Sequence, residues 1–480
     1  MKLDDSLKHL SRRDFIRSVA ADTAAISIAS SLAPFAMGQA VAPAGTAPTA
    51  AVTAPAPSAT APAIIPPPWT PSDAPNQPIG TARGIFPGRV VWVRDASVAR
   101  WDGTTGHWWD EGNIDQKALE AMWSRSLRGV SGAHDDRAAW DKIFHYYNQT
   151  HGRGNVGWKS GEQVTIKINV NNAYSGYKDS DNDIDASSQS ILALLRQLVK
   201  QAGVAEKDIV IYDASPYKNQ RAIADRIYTP CHAEFAEVRW VDCQGLNGRL
   251  APEWVKDAIS FSSPETKLGN DLPRCAVDAT YLINLALLKG HEIAGVTLCA
   301  KNHFGSIQTP WNDHNAYLHA AKRPLGDYSG LVDLMGSPNL GGKTLLYVLD
   351  GVYATKTNVK AVGDKDRWKN LFNGEWSSMY LMSLDPVAID SVGLDFLRSE
   401  FGYSLGYSGA KSFPMGSTVN CDNYLHQAAI GHNDLLGPYK PNGKEIGSLG
   451  VHEHWNNAQD KQYSRNLNPK KAHGIELFHG

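Results

Sequence analysis

The sequence predicts an α/β fold: a mixed, largely parallel sheet flanked by helices, with long irregular insertions around the site. Three observations carry that prediction. Runs rich in β-branched and aromatic residues recur at 89–94, 163–170, 209–213, 238–241, 281–288, 344–349 and 379–384. Several are apolar throughout rather than alternating, as strands covered on both faces are. Helical patterns lie between them, which is the order that builds a sheet with helices on both faces.

Each helical pattern has a local reason. Ile114, Ala118, Leu119 and Met122 share one face. Ile191, Leu194, Leu195 and Leu198 form an apolar stripe behind a cap at Ser187 or Ser188. Asp385 followed by Pro386 reads as an N-cap and a first helical residue, because proline has no N–H to lose there. Long irregular insertions fall at 100–113, 171–185, 308–342 and 413–480, a length that usually marks functional or disordered chain. The last is aromatic and polar, so it reads as ordered decoration around the site.

The amino terminus has a different character. Ser11, Arg12, Arg13, Asp14, Phe15 and Ile16 are similar to the twin-arginine export pattern, and small residues at Gly38 and Ala40 suggest cleavage after Ala40. Arg17 and Asp22 interrupt the modestly apolar stretch that follows, which disfavours a permanent membrane span. Residues 1–40 are therefore expected to be a signal peptide, 41–83 an Ala/Pro/Thr-rich disordered linker, and 84–480 a single α/β domain with an extended C-terminal decoration. What the export pattern implies is a twin-arginine translocase as partner, a periplasmic or secreted location, and a cargo exported folded, often with its cofactor. An oxidising destination is compatible with one or two disulfides among five cysteines, with at least one left over.

Charge narrows the partners. With 47 basic and 49 acidic residues there is no electrostatic case for nucleic acid. Fourteen tryptophans and eighteen tyrosines suit a surface that stacks on sugars, although ordinary packing uses the same residues.

Chemistry is expected where polar residues follow apolar strands, at the carboxyl ends of a sheet. Lys167 and Asn169 end one such run, and an ammonium beside an amide suits a carboxylate or phosphate. Lys289 and His291, one residue apart, share a side of an extended segment. Lys301 and Asn302 end the next apolar stretch. Lysine next to other cations loses proton affinity and histidine needs little tuning, so His291 and Lys301 are the candidate proton-transfer residues. Lys167, Asn169, Lys289 and Asn302 are the candidate substrate-binding residues. The plainer alternative is that the lysines only pair with carboxylates.

Metal readings compete. His452 and His454 are spaced for one face of a strand and, with His303, His314 or Asp350, are candidate ligands of a divalent ion. Asp350 and Asp390 could instead cap or turn the chain. Asp179, Asp181, Asp183 and Asp185 alternate as in calcium loops but lack the central glycine and closing glutamate. The cysteines form no CxxC, so no iron–sulfur cluster is expected.

Five segments, VTIKIN (164–169), KGH (289–291), GVTLCAKNHFG (295–305), LDG (349–351) and SLDPVAID (383–390), resemble the family known as domain of unknown function 362. The resemblance implies a fold and a probable site rather than an activity. KGHEIAGVTLCAK is also distantly similar to the lactate racemase family that uses a nickel-pincer nucleotide. That resemblance implies a proton-moving role at His291 and a cofactor anchor at Lys301. The combined expectation is an exported enzyme acting by Lys/His acid–base chemistry on a carboxylated or polyhydroxylated molecule or saccharide, of isomerase or lyase type. The alternatives are a non-catalytic binding protein for an anionic glycan and a histidine-based metallohydrolase.

Overall fold

The computed structural model describes residues 73–171, 182–214, 222–264, 269–292, 294–308, 326–358, 361–402, 405, 421–471 and 473–480. The export pattern, most of the linker, Asp179, Asp181 and His314 lie outside the described residues.

All seven expected strands form, as β2 (Arg89–Arg94), β3 (Val164–Lys167), β4 (Ile209–Asp213), β5 (Arg239–Asp242), β8 (Tyr281–His291), β10 (Thr344–Thr355) and β11 (Met379–Ser383). With β15 (Glu476–His479) they stand in the order β15-β2-β11-β10-β8-β3-β4-β5, and β9 (Gly295–Thr297) turns back along β8. The half from β10 to β5 is parallel, while β11 runs antiparallel to both its neighbours. The sheet is thus mixed and mostly parallel. Two-residue pairs β6 (Trp254–Val255) with β7 (Leu272–Pro273), and β12 (His432–Asn433) with β13 (Gly437–Pro438), lie apart from it.

Alternate residues of the strands feed two apolar cores, one on each face. Val91, Val93, Ile283 and Leu285 meet α1 (Gln116–Ser131), α2 (Asp136–Thr150), α3 (Ser188–Arg196) and α4 (Asp225–Glu234) in one core. Val90, Ala286, Leu288 and Leu349 meet α6 (Gly330–Gly336), α7 (Pro386–Phe401) and α8 (Asn423–Ile430) in the other. Caps start the helices where the sequence reading put them. Ser187 accepts the N–H of Ser190, and Asp385 accepts those of Val387 and Ala388 ahead of Pro386.

Two features depart from expectation. The C-terminal stretch is part of the fold as well as decoration: it supplies edge strand β15 and strand β14 (Val451–His452). Folded chain also begins ahead of residue 84. Strand β1 (Ile79–Gly80) pairs antiparallel with β14, and Asn76 N–H donates to the His454 carbonyl at 2.9 Å. Asp73 reaches His426 Nδ1 at 2.8 Å and His452 Nε2 at 3.4 Å. Burial opposes its charge, yet those histidines hold its carboxyl well below the usual range. Composition hides this strap, because proline-rich chain carries few apolar residues whichever way it packs.

A chain beginning at residue 84 should therefore melt about 1–2 °C below one beginning at residue 73, having lost hydrogen bonds worth on the order of 1–2 kcal/mol. Equal melting temperatures in a thermal scan would show that the strap contributes nothing.

Candidate active site

The carboxyl ends of β3, β4 and β8 lie side by side, with Lys167 in register with Tyr212 and with Asn284. Strand β9 then folds back so that the short helix α5 (Cys299–Asn302) returns to the level of Asn284, whose Nδ2 donates to the Cys299 carbonyl at 2.9 Å. This return brings Asn302 onto Lys167, 135 positions earlier in the chain.

Lys167 is fully buried. A buried ammonium is tolerated only where acceptors replace its water, since several kcal/mol of solvation are at stake. Here Nζ donates to the Ile168 carbonyl at 2.5 Å and to Asn302 Oδ1 at 3.3 Å, and it is ion-paired with Asp213 Oδ2 at 3.1 Å. Asp213 is itself fixed by the Val170 N–H at 2.8 Å. Gly305 closes over the pair. A Cβ there would stand 2.6 Å from Asp213 Oδ1 and 2.7 Å from Lys167 Nζ, so only glycine fits without displacing the charges.

Because an ammonium can only donate, it sets the direction of the amides around it. Asn302 must turn Oδ1 toward Lys167, which leaves its Nδ2 to donate to the Lys167 carbonyl at 3.2 Å and to Asn284 Oδ1 at 2.8 Å. Asn284 in turn offers its Nδ2 to His303 Nε2 at 3.0 Å. His303 therefore carries its proton on Nδ1. Burial, then the Lys167 charge, lowers its pKa to about 3, so it is neutral throughout the physiological range. Asn169 presents Nδ2 to Asn302 Oδ1 at 3.2 Å, which leaves Asn169 Oδ1 turned away. That oxygen and His303 Nδ1 are buried with no hydrogen-bond partner among the described residues.

The remaining cations line the same edge further out. Lys289 is fully buried and donates to the Ile184 carbonyl at 3.1 Å, beside the stretch where Ala186 N–H meets the Asn169 carbonyl. Lys301 is 8 % exposed, with Nζ 4.0 Å from the centre of the Phe304 ring. His291 is also 8 % exposed and accepts the Ala294 N–H on Nδ1 at 3.2 Å, which places the proton of the neutral ring on Nε2.

The sequence-predicted residues are thus sorted. Lys167, Asn169 and Asn302 come together directly, and Lys301 sits on the same short helix as Asn302. His291 stands at the β8–β9 turn, and an extended strand advances roughly 23 Å between Asn284 and that point. The expectation that Lys167, His291 and Lys301 meet in one compact pocket gives way to a base formed by Lys167, Asn169 and Asn302 and an outer rim at Lys289 and His291. Lys167 itself moves from gripping an anion to holding the site, since its N–H groups have protein acceptors.

Of the metal candidates among the described residues, only His452 and His454 come together, with ring centres 4.9 Å apart. Asp350 accepts from Ser190 at 2.5 Å on the α3 face of the sheet. His452 faces Ser391 at 2.8 Å on the opposite, α7, face. His454 is ion-paired with Asp395 at 2.7 Å; burial works against its charge, but Asp395 and Asp422 raise its pKa to about 9. His303 is committed to Asn284, and His314 lies outside the described residues. Among the described residues no three histidine, cysteine, aspartate or glutamate side chains are gathered to hold a metal ion.

Three participants escaped the sequence reading: Asp213, Asn284 and Gly305. Asn284 had left a signal, a lone amide inside the otherwise apolar run YLINLALL. Among the described residues no tryptophan is fully exposed. Trp69 and Trp311 lie outside the described residues, and every other tryptophan is buried or half-buried. Trp109 has His107 stacked at 4.6 Å and the Arg226 guanidinium at 4.0 Å.

If the Lys167–Asp213 pair anchors the site, Gly305→Ala should cost about 1–3 kcal/mol by crowding it. Lys167→Ala should cost more, about 3–5 kcal/mol, because it strands a buried carboxylate. Urea unfolding at pH 7 measures both, and a Lys167→Ala protein as stable as wild type would dismiss the anchor.

No curated protein matches the chain. Residues 164–395 match the family described as Domain of unknown function (DUF362), a span that runs from β3 into α7 and holds Lys167, Asp213, Asn284, Lys301 and Asn302. That match supports assigning the site-bearing part of this chain to the DUF362 family.

Proposed function

We propose that this protein is an enzyme moving a proton on the carbon beside the carboxylate of a hydroxy acid or sugar acid, with the outcome an isomerisation or an elimination. The observation that carries this reading is the directed amide relay. It leaves Asn169 Oδ1 as an acceptor with no donor among the described residues, within an edge otherwise lined by buried cations. An acceptor repels a carboxylate oxygen and takes a hydroxyl, so Asn169 suits the hydroxyl of the substrate. The buried cations along that edge favour a substrate that also carries a carboxylate. Lys301, nearly buried on the helix that also carries Asn302, is the group best positioned to exchange the proton, in the manner of general acid–base catalysis.

Deuterium exchange tests this whichever way the reaction runs. Incubated in D2O with a panel of 2-hydroxy acids and sugar acids, the wild-type protein should wash deuterium into the position beside the carboxylate of at least one. Lys301→Ala should slow that exchange by about 10²-fold or more, while Asn169→Ala should chiefly raise KM. No exchange above the uncatalysed rate across the panel, or full exchange by Lys301→Ala, removes the proposal.

We further propose that the protein acts after export by the twin-arginine route, on the strength of Ser11 to Ile16. Replacing Arg12 and Arg13 by lysine should leave the precursor in the cytoplasm on fractionation. Normal export of that variant argues against the route.

A further inference from the structure

Helix α5 presents Lys301 and Asn302, yet it has no cap of its own. Its N-cap residue is Leu298, whose side chain cannot accept a hydrogen bond. The first N–H groups of a helix that starts inside a protein need acceptors, or each costs free energy comparable to a lost hydrogen bond. The acceptor comes from the other end of the family-matched region. Asp390, on α7, takes the Cys299 N–H on Oδ1 at 2.8 Å and the Ala300 N–H on Oδ2 at 3.0 Å. Tyr424 of α8 donates its hydroxyl to the same Oδ2 at 3.0 Å.

The approach of α7 is arranged for this contact. Gly393, on the same helix face as Asp390, lies against Leu349, Leu298 and Leu288. A Cβ there would come within 2.7 Å of Leu349 and 3.1 Å of Leu298. The glycine lets α7 press against β8, β10 and the entry to α5, so the carboxylate reaches the backbone directly. The other groups whose charge bears on Asp390 are Cys299 and Tyr424, both held in the neutral form because burial pushes their pKa values well up. The helix N-terminus is thus the chief stabiliser of the carboxylate.

We infer that Asp390 is a positioning residue for the site: it caps α5 from a distant helix and fixes the direction in which Lys301 and Asn302 face the substrate. This rests on the functional reading above, in which Lys301 exchanges the proton. It also assigns the SLDPVAID segment two separate tasks, with Asp385 starting α7 and Asp390 holding α5.

The cap is sensitive to protonation. Burial raises Asp390 to about 6, against which its backbone hydrogen bonds work. Below that pH one oxygen carries a proton and no longer accepts freely. The effect of Asp390 on global stability has the opposite sign. A carboxyl with a folded pKa above its unfolded value of 3.8 makes the folded state bind the extra proton, so its contribution to stability rises as pH falls from about 6 to 3.8. A loosened α5 in a domain no less stable is the signature of positioning rather than of general scaffolding.

The test uses the whole exported chain and two readouts, amide hydrogen exchange at residues 299–302 and the rate at which an acylating reagent labels Lys301, each from pH 5 to 8. In wild type, α5 amide protection should fall about tenfold, relative to intrinsic exchange, as pH drops through 6. The Lys301 labelling rate should depart from simple amine titration over the same range. Asp390→Asn should abolish both pH steps and change Lys301 labelling at pH 7.5 by threefold or more, with labelling of the exposed Lys444 unchanged. Wild-type profiles without a step near pH 6, or Asp390→Asn profiles that superimpose on wild type, overturn the inference. Should Asp390→Asn not fold, Tyr424→Phe, which leaves the carboxylate and removes one donor, is expected to move the wild-type step to higher pH; an unmoved step counts against the proposal. Since neither readout is turnover, failure here leaves the deuterium-exchange result standing, and the reverse also holds.

Discussion

The buried ammonium of Lys167 is the constraint on which the site is built. Sealed from water at the end of β3, it requires acceptors on every side, and it finds them in Asp213, the Ile168 carbonyl and Asn302. Its inability to accept a hydrogen bond then propagates outward. Asn302, Asn284 and Asn169 can each adopt only one amide orientation, and His303 only one tautomer. A single charge has thereby ordered four polar side chains. What is left over, one acceptor at Asn169 and one donor at His303, is a consequence of that ordering.

The sheet makes this arrangement possible in space. Parallel strands bring β3, β4 and β8 to a common edge, where polar residues can leave the apolar layers. Strand β8 overshoots that edge, and β9 returns the chain along it, so one continuous segment supplies both the outer rim at Lys289 and His291 and the inner wall at Asn302. The return leaves a helix that begins where no local residue can cap it. Helix α7, packed in the same apolar core as the start of α5, supplies the missing carboxylate.

The ends of the described chain serve the same architecture from the other side. Strap residues from Asp73 to Gly80 and the C-terminal stretch through β14 and β15 close on each other and on the sheet edge. Their polar contacts draw on histidines that the sequence offered as metal ligands. His452 faces Ser391 and Asp73, and His454 faces Asp395, so these rings hold segments of the chain together.

The sequence by itself determined the periodic and local features. Apolar runs without alternation marked the central strands, because a strand covered on both faces has no solvent side to show. Ser187 and Asp385 announced their helices, because capping depends on residues within one turn. Lys167, Asn169, Lys301 and Asn302 were legible as site candidates, since polar residues ending buried strands emerge at a sheet edge. Only the tertiary structure decided which of them meet. The register of β3 against β8 brought Asn284 to Lys167, and the β8–β9 return carried His291 away from that pair while bringing Asn302 onto it. Asp213, Gly305 and Asp390 gained their roles from neighbours far along the chain. The strap before residue 84 was hidden because its partners lie more than 350 residues away. Hydrogen-bond direction was the last thing decided, because an amide in a sequence has no orientation until a charge beside it imposes one.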